Sequence, residues 1–159
     1  MVLYGDRRKK YYIAKDYPLP RTSVAFDKYK VLYTYAWGGM DGKYLGGSYS
    51  NIIIAEPFEI CTETYQEQGV YSTKDEARKH AKYILTRFAR ALLYMNKHSR
   101  HSTTAWGAVP VQSFTEPWWN QSIADIDKRL MEKYNIPSDI QKFVFENIQE
   151  RGENNIINL

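Results

Sequence analysis

The spacing of apolar residues changes along the chain, from alternation in the first half to a three-and-four repeat in the second. Positions 29–37 (YKVLYTYAW) alternate and are rich in β-branched and aromatic residues, which puts Val31, Tyr33 and Tyr35 on one face of a strand. Further strands are expected at 52–55 and 58–65, with Pro57 forcing a break or an edge position between them. Gly38, Gly39, Gly42, Gly46 and Gly47 mark turns and a loop before them. From Thr73 the period is helical. Thr73 and Glu76 have the spacing of a capping box, and Ala77, Ala81, Ile84, Leu85, Phe88, Ala91, Leu92 and Met95 form one stripe, so a single long helix is predicted.

Residues 105–114 (AWGAVPVQSF) read as a strand interrupted at Pro110. Gln121-Ser122 opens a short helix to Tyr134, with Ile123, Ile126, Leu130 and Tyr134 inward. Ser138 and Gln141 repeat the capping-box spacing at the start of another, with Ile140, Phe143, Val144 and Ile148 inward. The order predicts an α+β fold, a small mostly antiparallel sheet packed against one long amphipathic helix, with two short C-terminal helices. One domain is expected over residues 1–159: a basic arm or edge strand at 1–26, where Pro18 and Pro20 disfavour helix, a core at 27–149, and a frayed tail at 150–159.

Composition narrows the class. With 43% hydrophobic and 25% charged residues the chain has the make-up of a globular domain. No apolar run approaches the roughly 20 residues of a membrane helix, and no apolar stretch follows the basic N-terminus, so a soluble, cytoplasmic protein is expected. The single Cys61 cannot form an internal disulfide, and no Cys/His set has zinc-site spacing.

Charge changes the picture more. The net charge of +4 is the sum of four blocks of alternating sign: +5 over residues 1–30, −4 over 31–73, +6 over 74–101 and −3 over 102–159. Two concentrated basic blocks, brought together, would attract a polyanion. One is Arg7-Arg8-Lys9-Lys10 beside Tyr11, Tyr12 and Tyr17; the other lies along the predicted long helix, where Lys79, Lys82, Arg90 and Lys97 fall opposite the apolar stripe with Arg87 at its flank.

Enzymatic signatures are sparse. The chain has no phosphate-cradling glycine loop and no GxSxG elbow, and Cys61 falls mid-strand with no histidine placed to activate it. His98 and His101, three apart, lack an implied carboxylate partner. Glu59 and Glu63 would share a strand face and could hold Mg²⁺, but no ExK triplet follows them. Trp118-Trp119 could stack bases or seal the core, and the core suits at least one of them.

The runs Asp27-Lys28-Tyr29-Lys30-Val31-Leu32, Cys61-Thr62-Glu63-Thr64-Tyr65 and Ser72-Thr73-Lys74-Asp75-Glu76-Ala77, with Tyr83, Thr86, Arg87, Phe88 and Arg90, form a pattern. Together with Trp106, Val109-Pro110, Gln112, Phe114, Trp118, Asp125 and Lys133-Tyr134, it resembles the C-terminal part of adenine-specific methylase subunits of type II (IIS-like) restriction-modification systems. The resemblance spans roughly residues 27–148 and implies a target-recognition region that reads double-stranded DNA beside a methyltransferase core or a nuclease partner. The chain itself carries no glycine-rich S-adenosylmethionine loop and no Asn-Pro-Pro-Tyr-type tetrapeptide; Ala55-Glu56-Pro57-Phe58 is not one. No cofactor is therefore expected in this chain, S-adenosylmethionine belonging only to a parent core, and no activity is expected of the chain alone. The simplest account is a fragment or a detached specificity domain.

The leading expectation is a DNA-recognition domain. Arg7, Arg8, Lys9, Lys10, Lys30, Lys79, Lys82, Arg87, Arg90, Lys97 and Arg100 would contact phosphates. Thr62, Glu63, Thr64 and Gln112, with the loop at 38–51, would read bases. The competing expectation is a docking module for a methylase or nuclease partner that binds no DNA alone. A Mg²⁺-dependent nuclease using Glu59 and Glu63 is a weaker third.

Overall fold

In the computed structural model, residues 1–5, 9–20, 22–34, 40–41, 43–45, 51–97 and 105–158 are described. The strand predicted from position 29 is β3, Tyr29–Thr34, and it runs through the centre of the molecule. It pairs antiparallel with β6 (Ile52–Ala55) on one side and β8 (Tyr65–Tyr71) on the other. A short C-terminal strand, β9 (Ile156–Ile157), adds parallel to β6, giving the order β8-β3-β6-β9. A second sheet has the order β2-β1-β7, in which β1 (Val2–Tyr4) pairs antiparallel with β2 (Lys10–Tyr12) and parallel with β7 (Ile60–Cys61). β4 (Met40–Asp41) and β5 (Tyr44–Leu45) form a separate small hairpin.

The central sheet is buried on both faces. Val31, Tyr33, Ile52 and Ile54 point into the main core beneath the helices, while Leu32, Ile53 and Ala55 point the other way, onto Tyr4 and Tyr65 under the N-terminal sheet. The all-apolar β6 is the sequence consequence of that placement, since neither face meets water.

The α+β class holds, and the detail departs from the expected single antiparallel sheet under one long helix. Both main sheets are mixed, and the helix expected to run from Thr73 to Met95 is two: α1, Lys74–Leu85, and α2, Arg87–Met95. Thr73 and Glu76 do form a capping box on α1. Thr86 is the break, extended at ψ 148°, donating its hydroxyl to the Tyr83 carbonyl and accepting the Ala89 N–H as the N-cap of α2. The two expected C-terminal helices are α3, Ile123–Lys133, capped by Ser122, and α4, Ser138–Asn147. On α4 the expected Ser138 cap does not form, and Gln141 instead donates to the Ile136 carbonyl. Val144 and Ile148 are buried there, whereas Ile140 and Phe143 are exposed.

Three other expectations are corrected. Of residues 58–65, only β7 and Tyr65, the first residue of β8, are in strands, and Glu59 turns back to accept the Glu56 N–H before pairing begins. Residues 105–114 form a 3₁₀ turn at Ala105–Ala108 and an irregular stretch instead of a strand. The supposedly frayed tail carries a 3₁₀ turn at Glu153–Asn155, the strand β9, and Asn158, whose side chain donates to the Tyr4 hydroxyl and the Ile54 carbonyl. The arm at 1–26 contains the β1–β2 hairpin, in the manner of an edge strand.

Candidate nucleic-acid interface

The expected DNA-contacting residues divide into groups. Arg7, Arg8 and Arg100 lie outside the described residues, as do His98 and His101 and most of the loop at 38–51. Lys9 and Lys10 are exposed on the β1–β2 hairpin. All three side chains of β2 are exposed, with Tyr11 at 42% and Tyr12 at 79% of their surface, and Tyr17 beyond it is 55% exposed. The hairpin edge thus carries two cations, Lys9 and Lys10, followed by two exposed rings, Tyr11 and Tyr12, and is held to the body by β1. Lys10 lies 4.0 Å from Glu59 and 5.7 Å from the ring centre of Tyr4, with its side chain partly exposed.

The helix face is not the open cationic surface its sequence suggests. Lys82 and Arg90 each expose 1% of their surface. Lys82 donates to the Gln121 carbonyl at 2.8 Å and pairs with Glu153 at 2.6 Å. Arg90 is bound to the carbonyls of Leu85, Thr86 and Gln149. Arg87 pairs with Glu150 at 2.5 Å and lies over the Phe145 ring. Lys79 is half-buried and pairs with Asp75 one turn earlier, at 2.7 Å. Lys97 follows the end of α2 and is half-buried.

The remaining residues are chiefly structural. Lys30 is buried, its ammonium held by the carbonyls of Ala25, Lys28 and Glu56, and burial lowers its pKa. It is a clip joining β3 to β6, with no donor turned toward a phosphate. Gln112 is buried and donates to the Tyr134 hydroxyl and the Pro110 carbonyl while accepting from Lys133. The Thr62 hydroxyl accepts the Thr64 N–H in a local turn, and between them Glu63 is exposed. Thr62, Glu63, Thr64 and Gln112 cannot form one reading surface without rearrangement, since Gln112 is enclosed.

No match is found among family models, curated proteins or solved structures. Function therefore rests on the chemistry of the side chains. Burial, then Glu67, pushes the Cys61 thiol up to about 11, leaving it a neutral thiol rather than a nucleophile at neutral pH. Burial pushes His80 down to about 4, its ring set between Tyr71 and Phe114. Glu59 accepts the Tyr4 hydroxyl and the Glu56 N–H. Glu59 precedes β7 and Glu63 lies in the turn after it, so the shared strand face expected of a metal-holding pair does not exist. Among the described residues no three His, Cys, Asp or Glu side chains gather as a metal site, and no helix is long and apolar enough to cross a membrane. Trp119 is fully buried, with Trp118 stacked on it at 4.1 Å, so this pair belongs to the core side of its two readings.

Sequence reasoning missed Asp127. It accepts the Arg87 N–H at 2.9 Å and the Phe88 N–H at 2.8 Å, capping α2 from α3. The available signal was an acid inside the Ile123, Ile126, Leu130 stripe.

Proposed function

We propose that the chain is a DNA-binding target-recognition domain whose contact surface is the N-terminal hairpin. One observation carries this reading: all three side chains of β2, Lys10, Tyr11 and Tyr12, are exposed, directly after Arg7-Arg8-Lys9 in the sequence. A two-stranded ribbon of this width fits the major groove of B-form DNA, and its cations gain by releasing condensed counterions. The resemblance to restriction-modification adenine methylases supplies the setting. A methyltransferase core or nuclease subunit would carry S-adenosylmethionine and the chemistry, in the cytoplasm, while this domain contributes affinity and placement.

Fluorescence anisotropy with a labelled duplex of roughly 20 base pairs tests it. Four hairpin cations predict a log–log salt slope of about −3.6. Lys9→Glu with Lys10→Glu should cut affinity at least tenfold and flatten the slope by about half. Absence of binding at low salt, or a slope near zero, would refute the reading.

A second reading, docking on a methylase or nuclease partner without DNA contact, draws on α4. There Ile140 and Phe143, one helical turn apart, are about half exposed.

A further inference from the structure

The basic helix row and the acidic tail meet. Arg78 and Lys82 of α1 both pair with Glu153, at 3.4 and 2.6 Å, Arg87 of α2 pairs with Glu150, and Arg90 holds the Gln149 carbonyl. Three cations from two helices, Arg78, Lys82 and Arg87, thus meet the carboxylates of one short segment, beside Arg90, which the Leu85 and Thr86 carbonyls also hold. That segment is fastened beyond Glu153 by the two-residue pairing of β9 with β6 and by Asn158. Carboxylates spaced along an extended chain present anionic oxygens much as successive phosphates do, and a guanidinium accepts either in the same forked geometry.

We infer that the Arg78–Lys82–Arg87 row is a phosphate-backbone site for duplex DNA, occupied in this state by the chain's own residues 150–153 as an internal competitor. The inference rests on the duplex-DNA reading for its ligand. The tail keeps the domain at the modest affinity of the hairpin alone, and full engagement requires its displacement. Glu150 is the weak point of the strap, since its carboxylate is 62% exposed and, among the described residues, makes one ion pair.

The test uses the full chain carrying Glu150→Gln and Glu153→Gln, with duplex binding measured across salt and folding checked by thermal unfolding. Release of Arg78, Lys82 and Arg87 predicts at least tenfold tighter binding at low salt and a slope steeper by about 2.7. A control with Asp139→Asn and Glu146→Gln makes the same change in net charge away from the row, and an equal gain there overturns the inference. If the double variant does not fold, Glu150→Gln alone should steepen the slope by about 0.9, and an unchanged slope overturns the inference. Failure here separates from failure of the hairpin reading. A wild-type chain that binds through Lys9 and Lys10 with no gain in the tail variant overturns only the masked site. Binding by the tail variant when the wild type shows none overturns only the hairpin surface, and binding by neither overturns both.

Discussion

The Asp127 carboxylate accepts two of the N–H groups at the start of α2 that have no partner inside the helix. It does so from a buried position, and burial pushes its pKa from 3.8 up to about 6 against the pull of those two bonds and of Arg90 and Arg87. Asp127→Ala should lower unfolding free energy by about 2–4 kcal/mol in urea titration, because both N–H groups are left without an acceptor. The pH dependence has a definite sign. Between about pH 4 and 6 the folded chain holds this proton more tightly than the unfolded chain, so the group's contribution to stability is lost as pH rises through that window. Asp127→Asn should abolish that part of the slope, and an unchanged stability–pH profile would show the carboxyl titrating normally. Lys30 follows the same logic in reverse. Its cationic type was legible, but three carbonyls converge on its ammonium, one of them from Glu56, 26 residues away, and no local pattern announces such a clip.

At the scale of elements, sequence pattern located the helical segments and the strands β3 and β6, but it missed β8, the longest strand, and β9, and it mislocated the interruptions. The α1–α2 stripe is continuous in the sequence, and Thr86 is an unremarkable residue within it. The break depends on Asp127, 40 residues away in the chain, which offers α2 a second start. Gly69 is a comparable case in the sheet. Gly69 and Val70 together stand opposite Lys30, a bulge in β8, and Gly69 adopts φ +77°. A Cβ there would lie 2.1 Å from the Tyr71 ring, so the position admits no side chain without moving that ring. Gly69→Ala should therefore cost about 2 kcal/mol or more, beyond the ordinary left-handed penalty, with Tyr71 displaced from its edge contacts to His80 and Phe114. Gly69→Ala with Tyr71→Ala tests the cause. Recovery relative to Tyr71→Ala alone indicates the ring clash, and no recovery leaves backbone strain as the whole effect.

For the whole molecule, the alternating charge blocks were legible but their destination was not. The −3 block folds back onto the +6 block through Glu150 and Glu153, so charge that looked available to a ligand is largely spent within the chain. The hairpin kept its exposed cations because it lies outside that pairing, on the far face of the central sheet. That face is held by a small cluster, Tyr4, Leu32, Ile53, Ala55 and Tyr65, while the helical face carries the main core. Adjacent residues of β6 separate the two. Ile53→Ala and Ile54→Ala should each cost about 2–4 kcal/mol, since both side chains are almost wholly buried. Their effects on local opening should differ. Native-state hydrogen exchange should show Ile53→Ala preferentially weakening protection in the β1–β2 hairpin, including the Ile13 N–H bound to the Met1 carbonyl, while Ile54→Ala loosens α1. If both variants lower hairpin and helix protection equally, the two layers open as one unit. The hairpin could then not yield to a DNA groove without loosening the helices that carry the tail-covered cations.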